Sequence, residues 1–191
     1  MLAVLAATTA PLTGRRIAEL THPRVSQPRV ATILNELVAA GVVDRTPAGS
    51  ASLFALNREH LAAGPVERLA SLRTQLWDRI AEHAEGWAHQ PDAIVVYGSA
   101  ARGDGDTASD VDLLVIRPAG VDDDDEAWHR DLTDLASRVK RWSGNACEIL
   151  DRSGDELRTM SADRERLLSE IRRDGRAVVG SVTLVPAPEA A

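Results

Sequence analysis

At 191 residues, 44% hydrophobic and 27% charged, the chain is long enough for one sizeable or two small globular domains, and its composition excludes a mainly disordered protein. A single cysteine, Cys147, excludes internal disulfides and multi-thiolate zinc sites and points to a reducing compartment. The net charge of −7 is unevenly spread, since residues 1–60 hold six arginines against four acidic residues and the remainder holds 16 basic against 25 acidic, as expected of two modules with different electrostatic roles.

The chain opens with its longest uncharged apolar stretch, which ends by Arg15. It is too short to span a bilayer and has no basic residues ahead of it, so a soluble, cytoplasmic protein with no membrane partner is expected. Leu2 to Ala7 predicts a first helix, and Ile17, Ala18 and Leu20 in TGRRIAEL a second, followed by a loop from Thr21 to Gln27. Val30, Ile33, Leu34, Leu37 and Val38 recur at helical spacing between Pro28 and Gly41, the N-terminal proline and C-terminal glycine of a well-bounded amphipathic helix. In GVVDRTPAGSASLFALN two apolar runs flank Pro47, Ala48 and Gly49, which predicts a β-hairpin.

Three short helices closed by a hairpin resemble a winged helix-turn-helix, and the resemblance covers residues 1–60. It implies a partner, double-stranded DNA, with the helix from Pro28 in a major groove. Gln27, Arg29, Thr32 and Asn35 would then face the bases, and Arg15, Arg16, Arg24 and Arg45 would contact phosphates. A palindromic target would favour a homodimer. Val66 to about His89 reads as one long linker helix with a stripe of Leu69, Leu72, Leu76 and Ile80; His83 and His89 lack metal-ligand spacing and read as surface residues.

Residues 93–117, AIVVYGSAARGDGDTASDVDLLVIR, are the most informative stretch. An apolar strand, Ile94 to Tyr97, runs into Gly98 and Ser99, where glycine lets backbone approach a ligand and the amides of a helix through Ala100 and Ala101 would face an anion. Further on, Asp110 and Asp112 precede the run Leu113 to Ile116. In a strand, residues two apart share a face, which puts the two carboxylates on one side with Cα atoms about 7 Å apart. Two such acids suit a divalent cation, because magnesium is held by one or two carboxylates plus substrate phosphates.

GSAARG followed by SDVDLLV resembles the GSxxxG and SDxDLxV signature of the DNA polymerase beta-type nucleotidyltransferase superfamily, particularly its minimal members, over about residues 90–180. The resemblance implies transfer of a nucleotidyl group from a nucleoside triphosphate to a hydroxyl, with two Mg2+ ions and pyrophosphate leaving. Gly98 and Ser99 would hold the terminal phosphates, Arg102 would touch a phosphate, Ser109 would orient the turn, and Asp110 and Asp112 would bind the metals. Minimal relatives include antitoxins that modify a tyrosine of a partner toxin, which makes a toxin-type protein one candidate acceptor. The alternative is a DNA-binding regulator whose second domain senses a nucleotide or mediates assembly without catalysis.

After a helix striped by Trp128, Leu132, Leu135, Val139 and Trp142, NACEILD predicts a short strand. Active members of the superfamily add a third carboxylate from such a strand, which completes the metal cage and helps to deprotonate the attacking hydroxyl; Glu148 is the candidate third metal ligand, with Asp151 in reserve. Asp122 to Asp125 with Glu126 read as acids complementing a helix N-terminus, Cys147 as a small core residue, and Tyr97 as core packing. Met160, Leu167, Leu168 and Ile171 mark a further helix, stopped by Gly175 before the strand-like AVVGSVTLV. The fold class is α+β: a winged helix-turn-helix at 1–60, a linker helix at 61–90, a nucleotidyltransferase-like mixed β-sheet with flanking helices at 91–185, and a disordered tail at 186–191.

Overall fold

The computed structural model of the chain describes residues 1–21, 24–103, 109–160 and 162–187, without the side chains of 162–165. Most of the expected tail, residues 188–191, lies outside the described residues, as does part of the loop before the Pro28 helix. The chain divides into two compact units, Met1–Thr74 and Gln75–Ala191.

In the first unit, helix α1 (Leu2–Ala6) is followed by a two-residue strand β1 (Leu12–Thr13), which was too short to be read from periodicity. Helix α2 (Gly14–Leu20) starts where Thr13 accepts a hydrogen bond from the Arg16 amide, and helix α3 (Gln27–Ala39) has its proline in the first turn. Strands β2 (Val43–Ala48) and β3 (Ala51–Leu56) form the hairpin, paired from Val43 with Leu56 to Ala48 with Ala51, and β1 adds to the other edge of β3. Leu5, Ile17, Val30, Leu34, Val43, Phe54 and Leu56 form a continuous core, so the apolar stripe of α3 is consumed by packing and its polar positions stay outside.

The long helix expected from Val66 to His89 is instead two helices, α4 (Ala63–Ala70) and α5 (Leu72–Ala84), separated at Ser71. Leu69 and Leu72 of the expected stripe are exposed, and the inward face of α5 is made by Trp77, Ile80 and Ala84. The helix parts where its two ends join different cores, and no glycine or proline marks the place.

The second unit is a four-stranded mixed sheet. Strand β4 (Ala93–Tyr97) leads into α6 (Gly98–Arg102); β5 (Val111–Arg117), α7 (Glu126–Ser143) and β6 (Cys147–Ser153) follow, then α8 (Gly154–Thr159), α9 (Ala162–Asp174) and β7 (Arg176–Val179). The strand order is β6-β5-β4-β7, with β5 and β6 parallel and the other pairs antiparallel. Alternate residues of the central strands feed two cores. Ile94, Val96, Val111, Leu113 and Val115 pack with Trp77, Trp87, Trp128 and Leu135 on one face. Val95, Leu114 and Ile116 pack with Leu157, Leu168 and Ile171 on the other.

Acids before α7 cap it as expected: Asp125 accepts from the Trp128 amide at 2.8 Å, a bond that holds its carboxyl below the usual range. Met160 does not start the last long helix; it closes α8, a short helix opened by a Ser153–Glu156 capping box. His83 departs from its surface reading. It is 18% exposed, packs edge-on to Trp87 and Trp142, and lies 3.4 Å from Asp134. The final strand stops at Val179, short of the expected run to Val185. Among the described residues no helix is long and apolar enough to cross a membrane.

Candidate active site

The site is assembled at one end of the second sheet. β4 finishes at Tyr97, and the chain turns directly into α6 at Gly98 with φ +65°, a left-handed backbone that favours glycine. Space requires glycine there as well: a Cβ would overlap Oδ2 of Asp112 and lie 3.3 Å from its Cγ. The Asp112 carboxylate is therefore seated on the strand-to-helix turn, next to amides that have no partner within the helix.

Asp112 is half-buried in β5, in register with Tyr97 on one side and Glu148 on the other. Cys147 and Ile149 pack on the tryptophan-rich face. Alternation therefore turns Glu148 to the face shared by Asp112 and Leu114, where it is exposed. Burial, then the charges of Asp110 and Glu148, raise the Asp112 carboxyl above the ordinary aspartate range, against an opposing pull from Arg102. Burial, then the charges of Asp112 and Glu148, push the Tyr97 phenol up. The Cys147 thiol is pushed up to about 12, chiefly by burial, which suits a core residue and not a nucleophile.

Two expectations change. Asp110 does not share a strand with Asp112, because β5 begins at Val111; Asp110 is exposed one residue ahead of it. Strand alternation therefore does not aim it. Instead, the Val111 amide donates to the Ala146 carbonyl at 2.8 Å, and Asn145 Nδ2 donates to the Ser109 carbonyl at 2.7 Å. Asp151, the reserve third acid, is paired with Val115 further along β6 and receives a 2.7 Å bond from Arg117, so it is a partner of a buried arginine at the far end of the sheet. Asn145 is absent from the sequence reading; its only signal there is a polar residue after Gly144 at the end of an amphipathic helix.

Gly98, Ser99 and Arg102 all lie in α6, with Arg102 exposed. Among the described residues no group of three or more His, Cys, Asp or Glu side chains could hold a metal ion by itself. The two aspartates nonetheless fit a divalent cation shared with a triphosphate, since a raised carboxyl beside another acid is relieved by a cation and magnesium rarely relies on an all-protein cage.

In the first unit, Arg15, Gln27, Asn35 and Arg45 line one depression of about 490 Å3, floored by Leu34, Phe54 and Pro28. Arg16, Arg24, Arg29 and Thr32 are exposed, and the Thr32 hydroxyl donates to the Pro28 carbonyl. Arg15 and Arg16 share Glu19, at 3.0 and 3.2 Å.

Residues 75–146 match the nucleotidyltransferase domain family. The match begins at the first residue of the second unit and includes Gly98, Ser99, Arg102, Ser109, Asp110 and Asp112, but ends just before β6. Glu148 and the whole first unit lie outside it. No curated protein gives a match. Among solved structures, a toxin–antitoxin complex with AMP-PNP is 18% identical, with 56% of this chain and 75% of that one covered and a TM-score of 0.40. A structure described as a minimal nucleotidyltransferase is 24% identical, with 58% and 92% covered and a TM-score of 0.36. The segment that matches the nucleotidyltransferase domain family thus includes the strand, the glycine turn and both aspartates.

Proposed function

We propose that the chain transfers a nucleotidyl group from a nucleoside triphosphate to a hydroxyl on a protein or small molecule, with Mg2+ held by Asp110 and Asp112. The observation that carries this reading is the seating of Asp112 against Gly98, which brings an acid directly onto the strand-to-helix turn. Gly98 and Ser99 would receive the terminal phosphates, with Arg102 beside them, and Ser109 would hold the turn that presents Asp110. Bound Mg2+ would neutralise phosphate charge and favour departure of pyrophosphate. The acceptor oxygen attacks the α-phosphorus, the bond to the bridging oxygen breaks, and pyrophosphate leaves. Glu148, exposed on the same face, would complete the metal-holding set and take the hydroxyl proton. A protein partner of toxin type is the acceptor to try first.

Incubation of the full chain with each of four α-labelled ribonucleoside triphosphates, Mg2+ and candidate acceptors tests the reading. Label should pass to the acceptor, and Asp110→Asn and Asp112→Asn should each lower it by roughly a hundredfold or more, as expected when a metal-holding carboxylate is removed. Equal incorporation by wild type and both variants ends the proposal.

A second activity is favoured by one further observation: four of the eight residues expected to contact DNA line a single depression beside α3 and the hairpin. We infer that residues 1–60 act as a winged helix-turn-helix on duplex DNA. Retention of a random duplex pool should fall steeply between roughly 50 and 200 mM salt. It should also weaken when Arg29 or Asn35 becomes alanine. A chain that keeps activity but retains no duplex at low salt would leave catalysis as its sole role.

A further inference from the structure

Asp110 presents a physical problem that Asp112 does not. Asp112 is fixed by strand pairing on both sides, whereas Asp110 is exposed and precedes β5. A carboxylate that must share an ion with Asp112 needs a defined direction, because metal geometry tolerates little wander.

The structure supplies that direction through the two peptide planes that flank Asp110. One plane contains the Ser109 carbonyl, which accepts from Asn145 Nδ2 at 2.7 Å. The other ends in the Val111 amide, which donates to the Ala146 carbonyl at 2.8 Å. Each peptide unit is rigid, so holding both planes sets φ and ψ of Asp110 and hence the direction of its Cα–Cβ bond. Both fasteners come from consecutive residues, and one of them is a side chain.

Asn145 is itself tied to a firm body. Gly144 ends α7 in the left-handed region at φ +84°, with its amide on the Lys140 carbonyl at 2.8 Å. The Ser143 hydroxyl donates to Val139 and accepts from the Asn145 amide at 3.1 Å. α7 is anchored by buried Trp128, Leu132, Leu135 and Val139. A chain of contacts therefore runs from the tryptophan-rich core through the helix cap to the peptide ahead of Asp110.

We propose that Asn145 is the positioning residue for Asp110, an inference that rests on the metal-holding role given to that aspartate above. The Asn145 side-chain amide holds the peptide from which the acid projects. Loss of the donor should loosen ion binding without emptying the site of carboxylates.

The test is Mn2+ titration of the full chain, read as bound and free ion by electron paramagnetic resonance, on wild type, Asn145→Leu, Asp110→Asn and Val139→Ala. Leucine keeps the size of asparagine and removes the donor. Asn145→Leu should weaken Mn2+ binding about tenfold, as loss of an outer-shell partner does. Val139→Ala lowers the melting temperature through the same helix but leaves the 109–110 peptide held, and should bind within about twofold of wild type. Should Asn145→Leu not fold, Asn145→Ser, which also withdraws the amide, is read the same way. Weakening by Asp110→Asn with no change in the Asn145 variants overturns the positioning role and leaves the metal reading standing. Equal losses in Val139→Ala and Asn145→Leu overturn it as well, since stability alone would then explain both. Wild type and Asp110→Asn that bind Mn2+ alike remove the metal reading, and this inference with it.

Discussion

Asp112 illustrates how a carboxylate is held at a cost in stability. Its carboxyl is raised by burial, Asp110 and Glu148, so the native state binds the proton more tightly than the unfolded chain does. Ionisation then costs folding free energy: the penalty is absent below the ordinary value of 3.8 and present in full above the raised native value. Asp112→Asn should therefore melt at a higher temperature than wild type at neutral pH without metal, with the gap closing as pH falls toward 3.8. Millimolar Mg2+ should narrow the gap at neutral pH by stabilising wild type alone. A thermal melt series at four pH values checks both; a gap independent of pH would place the strain elsewhere. The pairing of a glycine turn with two aspartates was legible in GSAARG and SDVDLLV. That Asp112 touches Gly98 itself, and that Asp110 stands outside the strand, depends on where β5 begins, which no residue pattern marks.

Among the elements, α2 presents Arg15 and Arg16 and α3 presents Arg29, but not all as free cations. Glu19 is shared by Arg15 and Arg16 on the exposed face of α2, and both arginines hold its carboxyl below the usual range. An exposed pair contributes little to stability. Its effect on DNA should be larger, because a bound phosphate must compete with Glu19 for both guanidinium groups. Glu19→Ala is expected to tighten duplex binding by about three- to tenfold at low salt, from like-charge removal at a phosphate-facing surface, with a melting temperature close to wild type. Fluorescence anisotropy against salt measures it, and weaker binding would mean that Glu19 orients the arginines productively. The α3 stripe and the hairpin turn were readable because their periods and punctuation are strong. β1 was not, since two residues carry no period. α8 left a signal that periodicity misses: Ser153 and Glu156 are spaced as a capping box.

In the second unit a buried arginine far from the glycine turn joins two acids. Arg117 is 5% exposed and donates to Asp151 at 2.7 Å and to Glu156 at 2.9 Å, joining β5, β6 and α8. Burial raises the Asp151 carboxyl even with the arginine beside it. Arg117→Ala leaves that acid without its charge partner and should destabilise the domain by about 3–5 kcal/mol, measured by denaturant unfolding. Arg117→Met combined with Asp151→Leu should recover most of the loss, since apolar groups of similar volume remove the desolvation penalty from both sides. A double variant as unstable as the single one would show that the pair specifies the strand register.

The amino-acid sequence by itself determined that the chain has two modules of opposite charge balance, where the amphipathic helices α3 and α7 lie, and that a glycine-serine bend is followed by two closely spaced aspartates. These are local properties, carried by composition, period and short spacing. Only the tertiary structure shows which of Glu148 and Asp151 stands in register with Asp112. Parallel pairing sets Glu148 opposite Asp112 and Asp151 opposite Val115, a choice made by register between strands 36 residues apart. It likewise decided that Asn145, distant in sequence from the aspartates, holds the peptide leading into Asp110. Hydrogen bonds across such separations depend on how the cores pack on both faces of the sheet, and no local pattern records that packing.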